Sequence, residues 1–376
     1  MRDVFTIADN IFSPLGHSSV ENFNQLKQSV SGVKQHSNTA LSEHPFYASL
    51  FTKDNFETTG SGKYTRFENL LIASITGALE HTAIDCASSK TILIISSTKG
   101  NISLLETEAP GEDFNKRISL TTSAKLVAAH FGFINEPVVI SNACISGLLA
   151  IITGMRMIQS GKYDNAVIAG ADVISKFVLS GFQSFQAISN EPCKPFDAAR
   201  NGINLGEGAG TLILSSTKQN AEQIKVTGGA ISNDANHISG PSRTGEELGY
   251  AITKAIKSAG ISPAAIDFVS AHGTATIYND EMESKAITLA ALQDVEINSL
   301  KGYYGHTLGA AGIIESIVTI HSMKENLILP TMGYQHIGVT SPINVSTSLH
   351  NASLKNCIKT ASGFGGCNAA VVFSKQ

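Results

Sequence analysis

Short runs of apolar residues alternate along the chain with longer segments in which apolar residues recur every three or four positions. Uninterrupted apolar runs at Thr91–Ser96, Val138–Ile140 and 166–169 are typical of buried strands. Helical spacing occupies 67–79 and Glu246–Ser258, where the apolar positions fall on one face. Strands that alternate with helices predict an α/β fold whose sheets are rich in parallel pairs and covered by helices on both faces.

Two glycine-rich stretches indicate that the chain repeats one unit. Residues 206–210 and 363–366 each precede a short apolar strand, and each half alternates helices with such strands. We therefore predict a duplicated five-layer arrangement, α-β-α-β-α, with an N-terminal half at 1–220 and a C-terminal half at 221–376. The polar segment 31–65, rich in serine, threonine and histidine, is predicted to be irregular.

Length and composition narrow the class of protein. At 376 residues the chain is longer than one ordinary hydrophobic core requires, which agrees with two units. Apolar residues make up 42% and charged residues 15%, as in a globular enzyme rather than a disordered chain. The net charge of −4 is small, so composition gives no electrostatic reason to expect binding to nucleic acid or to an anionic membrane.

Five cysteines are spread widely over the chain and form no C-x-x-C pair: Cys86, Cys144, Cys193, Cys357 and Cys367. This spacing predicts neither a disulfide framework nor a zinc cluster, and no metal ion is expected. The first residues lack the layout of a secretory signal, and no run of about 18 uncharged apolar residues predicts a membrane span. We expect a protein of the reducing cytoplasm.

One cysteine lies at the junction of a predicted strand and a predicted helix. The apolar strand Val138–Ile140 ends at Ser141, and a long apolar helix begins just after Cys144. Backbone N–H groups and the positive end of the helix dipole favour a thiolate over a thiol there, which predicts a reactive Cys144. The alternative is a buried structural cysteine, the usual fate of a free thiol.

Two histidines lie in glycine-bounded turns where α/β proteins place active sites. His272 follows a predicted strand, and the stretch from Lys301 to His306 precedes a predicted helix. One cysteine and two histidines from distant segments form a plausible nucleophile site. Either histidine could instead be an ordinary loop residue, and Lys301 could be a solvated surface group.

These residues belong to a larger set of short motifs that covers nearly the whole chain. The set resembles the elongating β-ketoacyl-[acyl-carrier-protein] synthases, which are condensing enzymes of the thiolase superfamily, and implies a thiolase-like fold. The matching pieces, in family order, are Ser13-Pro14-Leu15-Gly16, Asn142-Ala143-Cys144, Pro195-Phe196-Asp197, Gly206-Glu207-Gly208-Ala209-Gly210, Ala271-His272-Gly273-Thr274-Ala275-Thr276, Asn279-Asp280 with Glu283, Lys301 with Gly305-His306, Gly309-Ala310-Ala311-Gly312, and Gly363-Phe364-Gly365-Gly366.

The resemblance implies an acyltransferase that performs a decarboxylative Claisen condensation. Cys144 would take an acyl group from a thioester carrier, and the backbone N–H groups of Cys144 and Phe364 would form the oxyanion hole. His272 and His306 would donate to the enolate oxygen that remains when a malonyl-carrier thioester loses carbon dioxide. Attack of the enolate on the acyl-cysteine would release a 3-oxoacyl chain on the carrier.

The resemblance also implies roles for residues around the cavity mouth. Thr274 and Thr276 would hydrogen-bond the pantetheine arm, although both could be ordinary turn hydroxyls. Phe364 would act as a gate between the two half-reactions, with Gly365 and Gly366 supporting its turn. The alternative for Phe364 is a packing aromatic between glycines.

Charged residues complete the set that the resemblance implies. Lys301 would position His306 or Glu315 and add positive charge to the site. Lys63 and Arg66 occupy the segment where the family docks its acidic carrier, although they could equally be ordinary surface cations.

The resemblance implies no metal and no organic cofactor, because the phosphopantetheine of an acyl carrier protein brings both substrates. It also implies a dimer, either of identical chains or with a related ketosynthase-like subunit. The pathway would be fatty-acid synthesis or a specialised polyene or polyketide route such as aryl polyene formation, which the shorter chain favours. The competing readings are a non-catalytic partner of the chain-length-factor type and a coenzyme-A thiolase; Cys367, where the family often has threonine, is interpreted as structural.

Overall fold

The computed structural model describes residues 1–52, 56, 63–109, 111, 113–219, 223–235 and 238–375. Residues 220 and 221, which form the predicted boundary between the two halves, lie outside that part of the chain. None of the helices within these ranges is both long enough and apolar enough to cross a bilayer.

The first half alternates strands and helices as the apolar pattern predicts. Its elements are β1 (Phe5–Phe12), α1 (Ser19–Lys27), β2 (Val33–His36), β3 (Phe46–Ser49), α2 (Arg66–Leu79), β4 (Thr91–Ser96), α3 (Leu104–Thr107), α4 (Phe114–Ile118), α5 (Leu120–His130), β5 (Val138–Ile140), α6 (Ser146–Gln159), β6 (Asn165–Asp172), α7 (Lys176–Ser184), β7 (Leu205–Gly206) and β8 (Gly208–Ser215).

The second half follows the same alternation. Its elements are β9 (Ile224–Asn233), α8 (Glu246–Ser258), β10 (Phe268–Ser270), α9 (Ile277–Leu289), β11 (Glu296–Asn298), α10 (Lys301–Tyr304), α11 (Ala311–Glu325), β12 (Leu327–Ile328), β13 (Asn344–Val345), β14 (His350–Asn351), β15 (Asn356–Gly363) and β16 (Cys367–Lys375).

The order of the strands repeats between the halves. The main sheet runs β5-β4-β6-β8-β1-β9-β16-β15-β10-β11-β13, and β1 meets β9 through a single pair, Phe5 with Lys225. In the first half β4 is parallel to β5 and β6, while β8 is antiparallel to β6 and β1. In the second half β10 is parallel to β11 and β15, while β16 is antiparallel to β15 and β9. The chain therefore uses one strand topology twice.

Five layers result because the strands bury both faces. Ile92 and Ile94 of β4 pack toward α6 and α11, whereas Leu93 and Ile95 pack toward α2 and α5. In the second half the outer face packs against α8 and α9, and the inner face packs on the same two central helices. Alternate side chains of a strand point to opposite faces, so continuous apolar runs are what a doubly covered sheet requires. The predicted duplicated α-β-α-β-α arrangement is confirmed.

The two central helices touch at their N-terminal ends. A Cβ atom at Gly147 would lie 2.8 Å from the backbone nitrogen of Ile313, and one at Gly312 would lie 2.5 Å from that of Leu148. Only glycine fits at such distances. This approach brings together the turns that precede α6 and α11.

The prediction of irregular structure for 31–65 is wrong in part. Strands β2 and β3 pair antiparallel, and β3 pairs in parallel with β7 to complete a small three-stranded sheet. The apolar periodicity does not reveal these strands, because their exposed faces are polar. Within β2 and β3 only Val33, Phe46 and Ala48 carry buried apolar groups. Of this segment, residues 53–55 and 57–62 lie outside the described ranges.

Candidate functional site

Cys144 lies in the turn between β5 and α6 and is buried. Ala143 before it has φ +45, a left-handed conformation that residues other than glycine rarely adopt. The hydroxyl of Ser146 accepts the N–H of Asn142 at 2.8 Å and donates to the carbonyl of Ala143 at 2.7 Å. The turn is therefore held in one strained shape that fixes the thiol at the start of the helix.

Burial of Cys144 opposes the preference for a thiolate that is expected at the start of a helix. Burial raises the pKa of the Cys144 thiol to about 12, and the neighbouring Cys367 adds to the rise against the opposing charge of Lys301. Desolvation disfavours the charged form more than the helix terminus favours it. Cys144 is a neutral thiol in this state, so its proton must leave when it attacks.

The turn that carries His272 is held by two carboxylates of α9. Glu283 accepts the backbone N–H groups of His272 at 2.8 Å and Gly273 at 2.7 Å. Asp280 accepts the N–H of Thr274 at 2.9 Å. Both acids are fully buried, and charged acceptors make the stronger kind of hydrogen bond. The sequence matched both acids to a motif without indicating this role.

His306 is held through main-chain pairing with the segment before β8. Its N–H donates to the carbonyl of Asn204 at 2.7 Å, and its carbonyl accepts the N–H of Gly206 at 3.0 Å. A Cβ atom at Gly206 would lie 2.0 Å from the carbonyl oxygen of Tyr304. The first glycine of the 206–210 motif is therefore needed so that the His306 loop can approach.

The structure brings Cys144, His272 and His306 together from three distant segments. The thiol sulfur and a ring nitrogen of each histidine all lie within 4.8 Å of one another. The two rings are 5.2 Å apart at an angle of 82°. Nδ1 of His272 and both ring nitrogens of His306 are buried without a hydrogen-bond partner among the described residues. Buried polar atoms are rarely left so, which points to a ligand that supplies the partners.

A thiol and two imidazoles are also a donor set that zinc accepts. Here, however, the ammonium groups of Lys301 and Lys359 are buried close enough to lower the pKa of both histidines. That positive charge opposes a second cation and favours an anionic oxygen. The site therefore fits a developing oxyanion better than a metal ion.

Lys301 lies behind the histidines in a fully buried cluster with Glu315 and Lys359. Lys301 pairs with one carboxylate oxygen of Glu315, and Lys359 lies 2.7 Å from the other. Lys301 is thus not a surface group. Sequence reasoning did not identify Lys359, and β15 offers little signal for it, because the strand mixes polar and apolar residues.

Both histidines are neutral in this environment. Burial lowers the pKa of His272 and of His306 well below the ordinary value, and the charge of Lys301 lowers it further, with a smaller contribution from Lys359. A neutral imidazole carries one N–H donor and one acceptor. Each ring can therefore donate one hydrogen bond to a substrate oxygen and keep its N–H proton.

A cavity of about 350 Å³ opens over these three residues. Among the residues that line it are five that the sequence singled out, namely Thr274, Thr276, Phe364, Gly365 and Gly366. The hydroxyls of Thr274 and Thr276 lie 2.9 Å apart. Phe364 is 38% exposed, and its ring stacks on Phe182 at 5.7 Å and meets Phe185 edge-on at 5.4 Å. Sequence reasoning did not identify the two α7 aromatics.

The glycine-rich turn after β15 lies against the backbone of Cys144. A Cβ atom at Gly363 would lie 2.9 Å from the nitrogen of Cys144 and 3.0 Å from the sulfur of Cys367. The Cys367 thiol donates to carbonyls, that of Phe364 at 3.4 Å and that of Asn142 at 3.7 Å. Cys367 thereby joins the two turns.

Lys63 and Arg66 do not line the cavity. The Lys63 ammonium lies 5.0 Å from the ring of Tyr64. Arg66 pairs with the nearly buried Glu207 at 2.8 Å and lies 5.3 Å from the ring of Phe56. Arg66 is therefore partly committed to contacts within the chain, and Lys63 is the more accessible of the two cations.

Asp172 at the end of β6 is a further residue that sequence reasoning missed. Its buried carboxylate accepts the hydroxyl of Ser97 at 2.7 Å and the N–H of Gly309 at 2.7 Å. It thereby ties the turn after β4 to the turn before α11. An acid at the end of an otherwise apolar strand was the available signal.

Two family models match the chain. The model described as "Beta-ketoacyl synthase, N-terminal domain" matches residues 6–220, and the one described as "Beta-ketoacyl synthase, C-terminal domain" matches residues 224–335. Together they cover most of the first half and the part of the second half that carries His272, Lys301 and His306; strands β13 to β16 lie beyond the matched residues.

Curated relatives agree with these matches. The 3-oxoacyl-[acyl-carrier-protein] synthase 2 of Vibrio cholerae is 30% identical over 100% of this chain and 99% of its own length. The putative mitochondrial 3-oxoacyl-[acyl-carrier-protein] synthase of Schizosaccharomyces pombe is 29% identical over 69% of this chain. The chain spans 66% of the length of that fission-yeast relative.

A solved structure supports the fold independently. A chain of the complex between the ketosynthase ApeO and its chain length factor ApeC from Xenorhabdus doucetiae superposes with a TM-score of 0.89. It is 25% identical and covers 100% of this chain and 98% of that chain. The predicted thiolase-like fold is confirmed.

Proposed function

Because the chain belongs to the β-ketoacyl synthase family, we propose that it joins an acyl chain to a malonyl-derived unit on an acyl carrier protein. The reaction is a decarboxylative Claisen condensation, and its product is a 3-oxoacyl thioester of the carrier. The observation that carries the proposal is the meeting of one thiol and two imidazoles within 4.8 Å, with three buried ring nitrogens that have no hydrogen-bond partner in the described part of the chain.

The first half-reaction loads Cys144. Its sulfur attacks the acyl thioester carbonyl, the carrier thiol leaves, and the proton of Cys144 moves to that thiol. The backbone N–H groups of Cys144 and Phe364 stabilise the oxyanion of the tetrahedral intermediate. Contact between the Gly363 turn and the backbone of Cys144 supports this pairing.

The second half-reaction uses the histidines. The thioester carbonyl of a malonyl-carrier accepts N–H donors from His272 and His306, and the C–C bond to the carboxylate breaks to release carbon dioxide. The enolate carbon then attacks the acyl-cysteine carbonyl, and Cys144 leaves as a thiolate that regains a proton. Neutral histidines suit this role because they donate a hydrogen bond without giving up the proton to the enolate.

The complete site argues against a non-catalytic partner subunit. Such a subunit needs no nucleophile, whereas this chain gathers Cys144 with both histidines beneath one cavity. A thiolase would use a second cysteine as a base. Cys367 instead directs its thiol to the carbonyls of Asn142 and Phe364, which agrees with a structural role.

The phosphopantetheine arm of the carrier brings both substrates, so we propose that the chain uses no cofactor of its own. Thr274 and Thr276 bind the pantetheine arm, and Phe364 with its glycines controls passage to Cys144. Lys63 and, in part, Arg66 contribute to docking of an acidic carrier. We propose a cytoplasmic location because the described cysteines are all free thiols.

We propose that a second chain of the same fold pairs with β5. This strand is the last of the main sheet, and its residues are half-exposed. An unpaired edge strand is a ready template for a partner. Similarity to a chain of the complex between ApeO and its chain length factor ApeC supports a related ketosynthase-like subunit as that partner. The route in which the pair works is fatty-acid synthesis or a specialised polyene or polyketide pathway.

Intact-protein mass spectrometry after incubation with a panel of acyl-carrier thioesters tests this function. We expect a mass increase equal to the acyl group, and peptide mapping should locate it on Cys144 rather than on the other four cysteines. The acyl group that loads fastest names the substrate class, and native mass spectrometry of the same sample reads the subunit composition. Absence of any adduct on folded protein, alone and with its co-purified partner, would refute the proposed activity.

A further inference from the structure

Lys359 is a buried lysine to which neither the family motifs nor the proposed reaction gives a role. It lies in the middle of β15 and is 0% exposed. Its ammonium group donates to the carbonyls of Ser270 at 3.1 Å and Ala271 at 2.8 Å and lies 2.7 Å from a carboxylate oxygen of Glu315. Burying an ammonium costs several kcal/mol unless it is paired and hydrogen-bonded, so this lysine is held for a reason other than packing.

The contacts of Lys359 lead to both histidines. Ala271 is the residue directly before His272, so its carbonyl belongs to the peptide that carries that ring. Glu315 is shared with Lys301, whose charge acts on His306 and His272. Lys359 is therefore tied to one histidine through the main chain and to the other through a shared carboxylate.

The cluster carries an excess of positive charge. Lys301 and Lys359 contribute two cations and Glu315 one anion, which leaves one positive charge beside the rings. The other ionisable groups that face this region are the carboxylates of Glu283 and Asp280. Glu283 is occupied by backbone N–H groups and by the hydroxyl of Thr360 at 2.7 Å.

Asp280 is held in a different way from the lysine cluster. Asp280 accepts the backbone N–H groups of Thr274 and Ala275, and burial raises its pKa to about 7. Three further ionisable groups lie close by, namely Cys144, Cys367 and Tyr304, and burial raises the pKa of each, which favours the neutral form. Glu283 offsets part of the charge of Lys359, but among the described residues the carboxylate that pairs with this lysine is Glu315.

Building on the proposed function, we propose that Lys359 is a positioning residue for the decarboxylation step. Through the Ala271 carbonyl it fixes the peptide before His272, and through Glu315 it keeps a net positive charge next to both imidazoles. This charge favours the enolate oxygen that forms between the rings. Without Lys359, Lys301 and Glu315 would form a neutral pair and the charge would be lost.

The test is the pH dependence of malonyl-carrier decarboxylation. Lys359→Met removes the charge and the hydrogen bonds, Lys359→Gln removes the charge but keeps an N–H donor for the carbonyls, and Lys359→Met with Glu315→Gln removes one cation and one anion together. Lys375→Met is the matched control, because Lys375 also extends from a strand of the second half to a carbonyl, that of Met323 at 2.9 Å, away from the cluster.

Removal of the cation lets the histidines take up a proton more easily. In Lys359→Met and Lys359→Gln we expect the acid limb of the rate profile to move up by about one pH unit. The rate at the optimum should fall about tenfold, because the enolate loses a nearby charge. The double variant restores one net positive charge and should return the acid limb toward that of the unaltered protein. Lys375→Met should leave the acid limb in place and change the rate at the optimum by no more than about twofold.

A second readout does not depend on activity. The titration midpoints of His272 and His306, followed by NMR of protein with labelled histidine and assigned with His272→Ala and His306→Ala, should rise in Lys359→Gln and fall back in the double variant. Unchanged midpoints in folded Lys359→Gln would overturn the proposal, as would a rate loss in Lys359→Met without any shift of the acid limb.

The two proposals fail in different ways. If the unaltered protein neither loads nor decarboxylates, the proposed function is wrong, and the NMR midpoints still decide the role of Lys359. If Lys359→Met does not fold, the role of Lys359 is decided by Lys359→Gln and by the double variant. The double variant leaves no unpaired buried carboxylate. An unaltered rate profile beside shifted midpoints would show a charge effect without a role in decarboxylation and would also overturn the proposal.

Discussion

Cys144 and His306 occupy turns before the two central helices, one in each half of the duplicated fold. Around Cys144 the turn is fixed by uncharged groups: the left-handed Ala143, the hydroxyl of Ser146 and the glycine contact between the helices. Around the histidines the fixed groups are charged: a buried carboxylate holds the backbone of His272, and buried lysines lie behind the rings. The same topology thus positions Cys144 by packing and His272 by buried charge, and it places charge beside His306, whose backbone is held by main-chain pairing.

The difference follows from what each group must do. A nucleophile has to be placed against a carbonyl, and tight packing achieves this without adding charge. The histidines have to stabilise an anion that exists only briefly, and preorganised positive charge in a buried site achieves that. We therefore expect the first half to be sensitive to volume and the second half to be sensitive to charge.

The largest expected effect separates the two half-reactions. Cys144→Ala should abolish acyl loading, a loss of more than about 10³-fold, while malonyl-carrier decarboxylation continues, because the enolate site lies on the histidines. His306→Ala should lower decarboxylation by about 10²–10³-fold and leave loading of Cys144 in place. Mass spectrometry of the protein measures loading, and release of labelled carbon dioxide measures decarboxylation.

Each variant serves as the control for the other, and circular dichroism confirms that both are folded. If folded Cys144→Ala no longer decarboxylates, the division between the halves does not hold. If His306→Ala prevents loading, the histidine has a second role in the first half-reaction.

The next effect tests the carboxylate that holds His272. Glu283→Gln keeps the size of the side chain but replaces one acceptor oxygen by an NH₂ group, which cannot accept the backbone N–H of His272 or Gly273. A displaced ring should slow decarboxylation about 100-fold while loading of Cys144 changes little. Steady-state rates of both half-reactions measure the difference.

Glu281→Gln is the matched control on the same helix. Glu281 accepts the N–H of Thr340 at 2.9 Å and pairs with Lys285 at 3.2 Å, outside the cavity. We expect a change of no more than about twofold in this variant. Equal losses in both variants would mean that α9 acts only through its overall stability.

Much of the fold could be predicted from apolar periodicity because the strands are buried on both faces. Thr91–Ser96 and Glu246–Ser258 have the predicted bounds. Strands β2 and β3 were taken as irregular, since their polar or mixed positions carry little periodic signal. Helix α7 was missed although its apolar positions are periodic, because it spans only nine residues. Long apolar runs fix the layers, whereas short elements depend on tertiary contacts.

The residues of the site also differ in whether the sequence predicts them. Cys144 could be predicted because it lies at a strand–helix junction, and His272 and His306 because glycine-bounded turns mark them; the structure brings the three together as expected. Lys359 and Asp172 could not, because a lone charge in a strand gains meaning only when its buried partner is known. The raised pKa of Cys144 was missed for a related reason, since burial is a property of the assembled fold.

Packing in the first half predicts an effect on stability. Gly147→Ala would place a Cβ atom 2.8 Å from the nitrogen of Ile313 and 3.0 Å from the carbonyl of Gly309, so the central helices must move apart. We expect the free energy of unfolding to fall by about 2 kcal/mol, measured by urea titration. Gly181→Ala in α7 is the matched helical control, because no atom of the residues that the structure describes lies within 4 Å of its added Cβ, and it should raise stability by about 0.5–1 kcal/mol.

A gain of stability in Gly147→Ala equal to that in Gly181→Ala would mean that the helices adjust at no cost. Packing would then not distinguish the first half from the second. Acyl loading of the same variant gives an independent reading, because a displaced α6 would also move Cys144.

The smallest expected effect concerns the state of the Cys144 thiol. Its pKa is raised to about 12, mainly by burial, so the reactive thiolate is a minor species at neutral pH. Its fraction should increase tenfold for each pH unit below the pKa. The rate of Cys144 alkylation by iodoacetamide, read by peptide mapping with Cys144→Ala as background, should therefore rise steadily from pH 7 to about 10 without a plateau. A plateau near neutral pH would show that the helix terminus and nearby lysines outweigh burial, and the first half would then also rely on charge to prepare its functional group.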